Sequence, residues 1–283
     1  MNYRHAFHAG NFADVLKHMV LVACLDHLLL KDGPVRYTDV FAGAGAYDLA
    51  GEEAGRSPEW QAGIAQVAAL AAADPAPVPP LVTRWLAAME AAGWAPGRFY
   101  PGSPVIASRL LRGGDSLRLC ELNPREAEQL EARMGTRRGV KIEVRDGWGA
   151  LRGLLPPIER RGLTLVDPPF EKPGEFARLV GALDDCVRLF AGGTAIFWHA
   201  DKDPDATASY RRKLAASGAR LLAADLAVAA YGAVRGLTAA GVTVLNPPFT
   251  LEPALREALP WLARTLARAP GGGWRLERLS GSW

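Results

Sequence analysis

Short apolar runs bounded by turn residues recur along this chain and predict strands at 35–41, 116–122, 140–145, 163–166, 194–199, 221–228 and 241–245. Between most of them lie segments of helical length with apolar residues at helical spacing, such as 124–134, 175–190 and 209–217. Regular alternation of strand and helix requires crossover connections, which place helices on both faces of a mostly parallel sheet. The last two strand candidates lack a helix between them, so they are expected to pair as an antiparallel hairpin at the sheet edge. An amphipathic helix is expected over 11–30, with Asn11 as its cap and Asp14 and His18 one turn apart.

One interval breaks the rhythm. The Gly-rich turn after the first strand ends at Gly45, and the next strand begins only near Ser116. A connection of that length needs structure of its own. Residues 58–73 are Ala-rich with helical spacing, Pro75, Pro77, Pro79 and Pro80 interrupt them, and a helical pattern resumes over 80–93. The division expected is therefore a main α/β domain over 1–49 and 99–270, a small helical insertion over 50–98, and a loosely held tail over 271–283 that opens on three glycines. Seven strands, mostly parallel and closing on a hairpin, form the pattern of the class I (Rossmann-like) methyltransferase fold.

Composition adds few constraints. The 283 residues are 49% hydrophobic and 22% charged, which suits a globular chain with a full core. Cys24, Cys120 and Cys186 show neither ligand spacing nor a disulfide framework, which favours a reducing cytosol and no metal. The apolar run at 19–25 follows Lys17 and His18 and ends at Asp26, so neither a targeting segment nor a membrane span is expected. A net charge of +3 selects no partner by itself, because a nucleic-acid enzyme needs only a local basic face.

The candidate chemistry lies at the ends of the predicted strands. Asp39 to Gly45 (Asp-Val-Phe-Ala-Gly-Ala-Gly) reads as a strand running into a turn whose glycines admit a ligand close to the backbone. A dinucleotide fingerprint would have a third glycine where Asp48 stands, which argues against a dehydrogenase. Glu121 ends the next strand, where a carboxylate can accept both hydroxyl hydrogens of a ribose. Asp146-Gly147 follows the third. The most informative segment is Leu165-Val166-Asp167-Pro168-Pro169-Phe170, an apolar strand with an exit stiffened by two prolines. An exocyclic adenine nitrogen, with its lone pair delocalised into the ring, must be drawn toward tetrahedral geometry before it attacks a methyl group. Asp167 and the Pro168 carbonyl can each accept one of its hydrogens while Phe170 stacks on the base. A second copy, Asn246-Pro247-Pro248-Phe249, is expected to be structural, at the end of an edge strand. The dense N-terminal set Tyr3, Arg4, His5, Phe7 and His8 suits stacking and phosphate contact around single-stranded RNA.

Taken together, Tyr3-Arg4-His5, Phe7-His8-Ala9-Gly10-Asn11, Ala13 to His18, Ala42-Gly43-Ala44-Gly45, Tyr100 to Pro104, Asp167-Pro168-Pro169 and Asn246-Pro247-Pro248 make the chain resemble the RlmJ family of 23S rRNA adenine-N6 methyltransferases over nearly its whole length. The resemblance implies S-adenosylmethionine as methyl donor, 23S rRNA free of ribosomal protein as substrate, and a cytoplasmic monomer. It implies donor contacts from Lys17, His18, Phe41, Gly43, Gly45, Ser103, Glu121, Asp146, Gly147 and Asp167, catalysis by Asp167 with Pro168 and Phe170, and closure of Tyr3 and His5 over the base. Phe41 stands where a histidine is expected, and Phe170 where a tyrosine is more common. Methylation of DNA adenine and a non-catalytic role in ribosome assembly stay open as alternatives, whereas a protein-glutamine methyltransferase would carry Asn in place of Asp167.

Overall fold

The computed structural model describes residues 4–73 and 77–281. Tyr3 and Pro75, both singled out above, lie outside the described residues. Its main sheet contains eight strands in the order β10-β8-β9-β7-β6-β1-β4-β5. These are β1 (Arg36–Asp39), β4 (Ser116–Glu121), β5 (Val140–Val144), β6 (Gly162–Val166), β7 (Thr194–Ala200), β8 (Leu221–Ala227), β9 (Ala239–Leu245) and β10 (Gly273–Ser280). The pairs β5-β4, β4-β1, β1-β6 and β6-β7 are parallel, and β9 runs antiparallel between β7 and β8. This is the class I methyltransferase arrangement, and it places the C-terminal ends of β1, β4, β6, β7 and β8 on one edge of the sheet. Ligands bind at that edge in open α/β sheets, where the strand order reverses on either side of β1.

Two expectations need correction. The segment at 271–283 is not a loose tail as far as it is described, because Gly273–Ser280 pairs antiparallel with β8 and makes the sheet eight-stranded rather than seven-stranded. Trp274 and Leu276 alternate with Arg275 and Glu277, a short period-two signal that follows three glycines and breaks at Arg278-Leu279, where the register shifts. Nor does β9 lie at an edge, since β8 and then β10 continue the sheet beyond it. An unpaired β8 would expose a row of backbone donors and acceptors, and β10 satisfies them.

Helices cover both faces. On one side lie α1 (Phe12–Leu29), α4 (Pro80–Ala91), α5 (Ser103–Leu110), α6 (Pro124–Met134) and α10 (Leu251–Thr265), which contribute to the larger apolar cluster. On the other lie α7 (Gly147–Leu154), α8 (Glu175–Leu189) and α9 (Pro204–Ala216), packed around Leu179, Leu183 and Tyr210. Helix α1 is buried along most of its length, polar residues Asp14, Lys17 and His18 included. Its N-terminus is closed by Asn11, with an Oδ1 that accepts from the N–H groups of Ala13 and Asp14.

The interval between β1 and β4 opens and closes with a two-stranded ladder of β2 (Ala46–Asp48) and β3 (Phe99–Pro101). Between these strands come α2 (Glu52–Arg56), a π-helical turn (Gln61–Ala65), α3 (Gln66–Ala73) and α4. Ile64 donates its N–H to Gly10 O at 2.9 Å, so this segment is bonded to the backbone just ahead of α1.

Candidate active site

The strand ends, the start of α1 and Glu59, just ahead of the π-helical turn, surround one cleft of about 290 Å³. Asp167 leaves β6 and projects into it, with its side chain 16% exposed. Lys17 Nζ donates to Asp167 Oδ2 at 2.6 Å and to Asp14 Oδ1 at 2.7 Å. The other oxygen of Asp14 accepts from Gly10 N–H at 2.9 Å and lies 2.9 Å from His5 Nε2. Burial alone would push the Asp14 carboxyl up, but His5 and Lys17 outweigh it and hold the group well below the usual carboxylate range. Burial likewise opposes the charge of Lys17, and the two carboxylates overcome it, raising that ammonium above its ordinary value. The cleft floor thus carries two carboxylates on one fully charged ammonium.

The strand-exit segment has a backbone feature of its own. Phe170 adopts φ 50°, a left-handed conformation that costs a bulky residue about 1–3 kcal/mol and persists only where the surroundings impose it. Lys202, just beyond β7, donates from Nζ to Phe170 O at 2.9 Å. The Phe170 ring meets Trp198 and Phe176 edge to face, with centroids 5.6 and 5.2 Å away. Its position is therefore held by one hydrogen bond and two rings.

At the β1/β4 end, Glu121 Oε2 accepts from Gly43 N–H at 2.9 Å and Oε1 from Asn123 N–H at 2.7 Å. These bonds fix the carboxylate plane, while burial raises its pKa above the ordinary value. Phe41 and Trp148 meet edge to face at 5.0 Å beside Asp146, and the Arg178 guanidinium lies 5.9 Å from the Trp148 ring centre. Oriented carboxylate, aromatic pair and second acid at successive strand ends fit a purine nucleoside with two ribose hydroxyls.

Of the residues expected at the site, His5, Lys17, His18, Phe41, Gly43, Ser103, Glu121, Asp146, Asp167, Pro168 and Phe170 all line this cleft. Two of the glycines stand behind the wall instead. Gly45, at φ 76°, has no room for a side chain, because a Cβ would come within 2.7 Å of Leu130 Cδ1. A Cβ on Gly147 would lie 2.0 Å from Val40 O, so that glycine lets α7 approach β1. His18 is buried, with Nδ1 2.8 Å from Tyr100 OH, and burial pushes it down to about 3, so its ring is neutral. Asp39 lies beneath the cleft and accepts from Ser103 Oγ and Tyr37 OH, both at 2.7 Å, and from Phe41 N–H at 3.2 Å. Burial raises it to about 6.

Several lining residues carried no sequence signal. Glu59 is 3.0 Å from His8 Nδ1 and accepts from Asn11 Nδ2 at 2.9 Å, joining the N-terminal segment to residues about fifty positions away. Trp198 sits within an apolar strand and Lys202 in a polar turn, and neither context distinguishes a cleft residue from scaffold. Among the described residues no group of His, Cys, Asp and Glu could hold a metal ion, and no helix is long and apolar enough to cross a membrane. The three cysteines are free and buried.

A family model described as ribosomal RNA large subunit methyltransferase D, RlmJ, matches residues 32–280. A Haemophilus influenzae protein named ribosomal RNA large subunit methyltransferase J is 36% identical over 280 residues, 98% of each chain. Its Escherichia coli K12 namesake is 37% identical over 274 residues, 96% of each chain. The crystal structure of a Legionella pneumophila protein superposes with a TM-score of 0.85 at 30% identity, covering 96% of this chain and 98% of that one.

Proposed function

Since the chain belongs to the RlmJ family of ribosomal RNA large subunit methyltransferases, we propose that it transfers a methyl group from S-adenosylmethionine to the N6 amino group of one adenine in 23S rRNA, acting in the cytoplasm as a monomer on RNA free of ribosomal protein. The observation that carries this reading is the Asp167 carboxylate, anchored by Lys17 through Oδ2 and facing the same cleft as Glu121.

When bound, S-adenosylmethionine supplies an electrophilic methyl group on a sulfonium. Glu121, held by Gly43 and Asn123, binds the donor's ribose hydroxyls, and Phe41, Trp148 and Asp146 take its adenine. Lys17, His18 and Ser103 complete the floor.

For the target base, Phe170 offers a stacking face, while Asp167 Oδ1 and the Pro168 carbonyl accept the two amino hydrogens. Drawing both hydrogens out of the ring plane localises the nitrogen lone pair toward the methyl group. With the donor bound, the amino nitrogen would displace the thioether from the methyl group, and the N–H proton released would pass to Asp167. Lys17 consumes one carboxylate oxygen and fixes the other, so positioning supplies most of the rate. Tyr3 and His5 close over the base, with His5 set by Asp14.

Labelled methyl transfer to protein-free 23S rRNA, with the product located by mass, tests the reading. N6-methyladenine at one site, absent with Asp167→Ala, is the expected result. Incorporation into DNA alone would move the substrate to DNA. Donor binding without transfer to either, or no donor binding at all, would leave an assembly factor.

A further inference from the structure

The connection between β8 and β9, residues 228–238, emerges beside the active site because β8 runs parallel to β7 with β9 returning between them. Its Gly236 and Leu237 line the cleft. Its stem is fixed: Val228 N–H donates to Thr238 O, Ala230 N–H to Pro270 O, and Arg268 N–H to Val228 O. Tyr231 stands in a hydrogen-bonded turn closed by Ala233 N–H on Ala230 O, and it is 66% exposed. Among the described residues, no hydrogen bond, ion pair or ring contact engages the side chain of Tyr231 or of the exposed Arg235. A large aromatic ring held in water on a rigid stem gains nothing for folding.

Charge differs between the β4 side of the cleft and the β8–β9 connection that borders it. The β4 side carries Glu121, Glu126 and Asp146. On the β8 side, residues 228–238 hold Arg235 and no acid, and Lys202, at the cleft, bonds the Phe170 carbonyl. The acidic β4 side suits a cation, and a connection that carries Arg235 without an acid suits a polyanion.

We infer that the β8–β9 connection guides single-stranded RNA into the site, with Tyr231 stacking on an unpaired base beside the target adenine and Arg235 contacting a backbone phosphate. This rests on the proposed nucleic-acid methyl transfer.

Full-length Tyr231→Ser, Tyr231→Phe and Arg235→Gln variants test it. The readouts are methyl-transfer kinetics on protein-free 23S rRNA, fluorescence anisotropy with a single-stranded RNA oligonucleotide, and calorimetric S-adenosylmethionine binding. Tyr231→Ser should weaken RNA binding and raise the RNA KM about ten-fold, and Tyr231→Phe should restore both. Arg235→Gln should reduce the slope of log affinity against log salt by about 0.7. Donor affinity should stay at the wild-type value in all three. Wild-type RNA affinity, KM and salt slope in the Ser and Gln variants would overturn the inference, as would a parallel loss of donor affinity, which marks a scaffold role. A wild-type protein that binds RNA through Tyr231 yet transfers no methyl group would sink the proposed reaction and leave the guiding loop standing.

Discussion

The chain contains the sequence Pro-Pro-Phe twice at a strand exit, once after Asp167 and once after Asn246, and the two copies are put to opposite uses. β6 runs parallel to β1 while β9 runs antiparallel to β7, so the two exits lie on opposite edges of the sheet. Asp167 faces the cleft with one oxygen on Lys17. Asn246 is consumed by its surroundings: Nδ2 donates to Ala191 O and Gly193 O, both at 2.8 Å, its N–H to Arg220 O, and its carbonyl accepts from Thr194 Oγ1. The left-handed residue is Phe170 in the first copy and Asn246 in the second. Asparagine tolerates that conformation and phenylalanine does not, so strain is present only where the motif faces the cleft. Phe249, the counterpart of Phe170, is 78% exposed with its edge toward His27. The lesson is that strand direction, rather than the motif, assigns the role.

Five measurements would break or sharpen this contrast. Asp167→Ala should lower methyl transfer by about 10²–10⁴-fold with little change in unfolding free energy, whereas Asn246→Ala should leave the rate within about three-fold. Equal rate losses in the two would end the distinction. Next, Lys17→Met leaves Asp14 and Asp167 without their shared ammonium and should cost about 3–5 kcal/mol in denaturant unfolding. Adding Asp14→Asn should recover much of that stability but not the rate. Asn246→Ala orphans two carbonyls and should itself cost about 1–3 kcal/mol, a stability effect with no kinetic counterpart. Lys202→Met, which frees the Phe170 carbonyl, should lower kcat about ten-fold at unchanged donor affinity, and Lys202→Arg should recover most of it.

The smallest effect concerns pH. Folding raises the pKa of Asp39, so the stability tied to that group is fully present below its unfolded value and is lost as pH rises through about 6. Asp39→Asn should flatten unfolding free energy over roughly pH 4–6, and an unchanged slope would remove Asp39 as its source. The amide of Asn246 does not titrate, so Asn246→Ala should leave the slope as it is.

Strands β1, β4, β5, β6, β7, β8 and β9 were legible because each is a short apolar run flanked by turn residues. β10 was not, because its half-polar alternation follows a Gly-rich turn and its partner β8 is some fifty residues earlier. Helix α10 was obscured by Pro253 and Pro260, the latter inside the helix. At the site, Glu121, Asp146 and Asp167 were found because a parallel sheet puts the C-terminal ends of its strands on one edge, and residue order then suffices. Glu59, Trp198 and Lys202 were not, since their roles depend on approaches between segments far apart in sequence.

The sequence by itself therefore determined the parallel α/β architecture and which strand-end acids face a common edge, because both follow from local periodicity and the turn chemistry after each strand. Only the tertiary structure decided that Lys17 would sit between Asp14 and Asp167, that Phe170 would be strained, and that Asn246, ahead of the second Pro-Pro-Phe, would be held by backbone carbonyls. Hydrogen bonds and ion pairs act over about 3 Å, and which groups come that close is set by packing across the whole sheet rather than by neighbours along the chain.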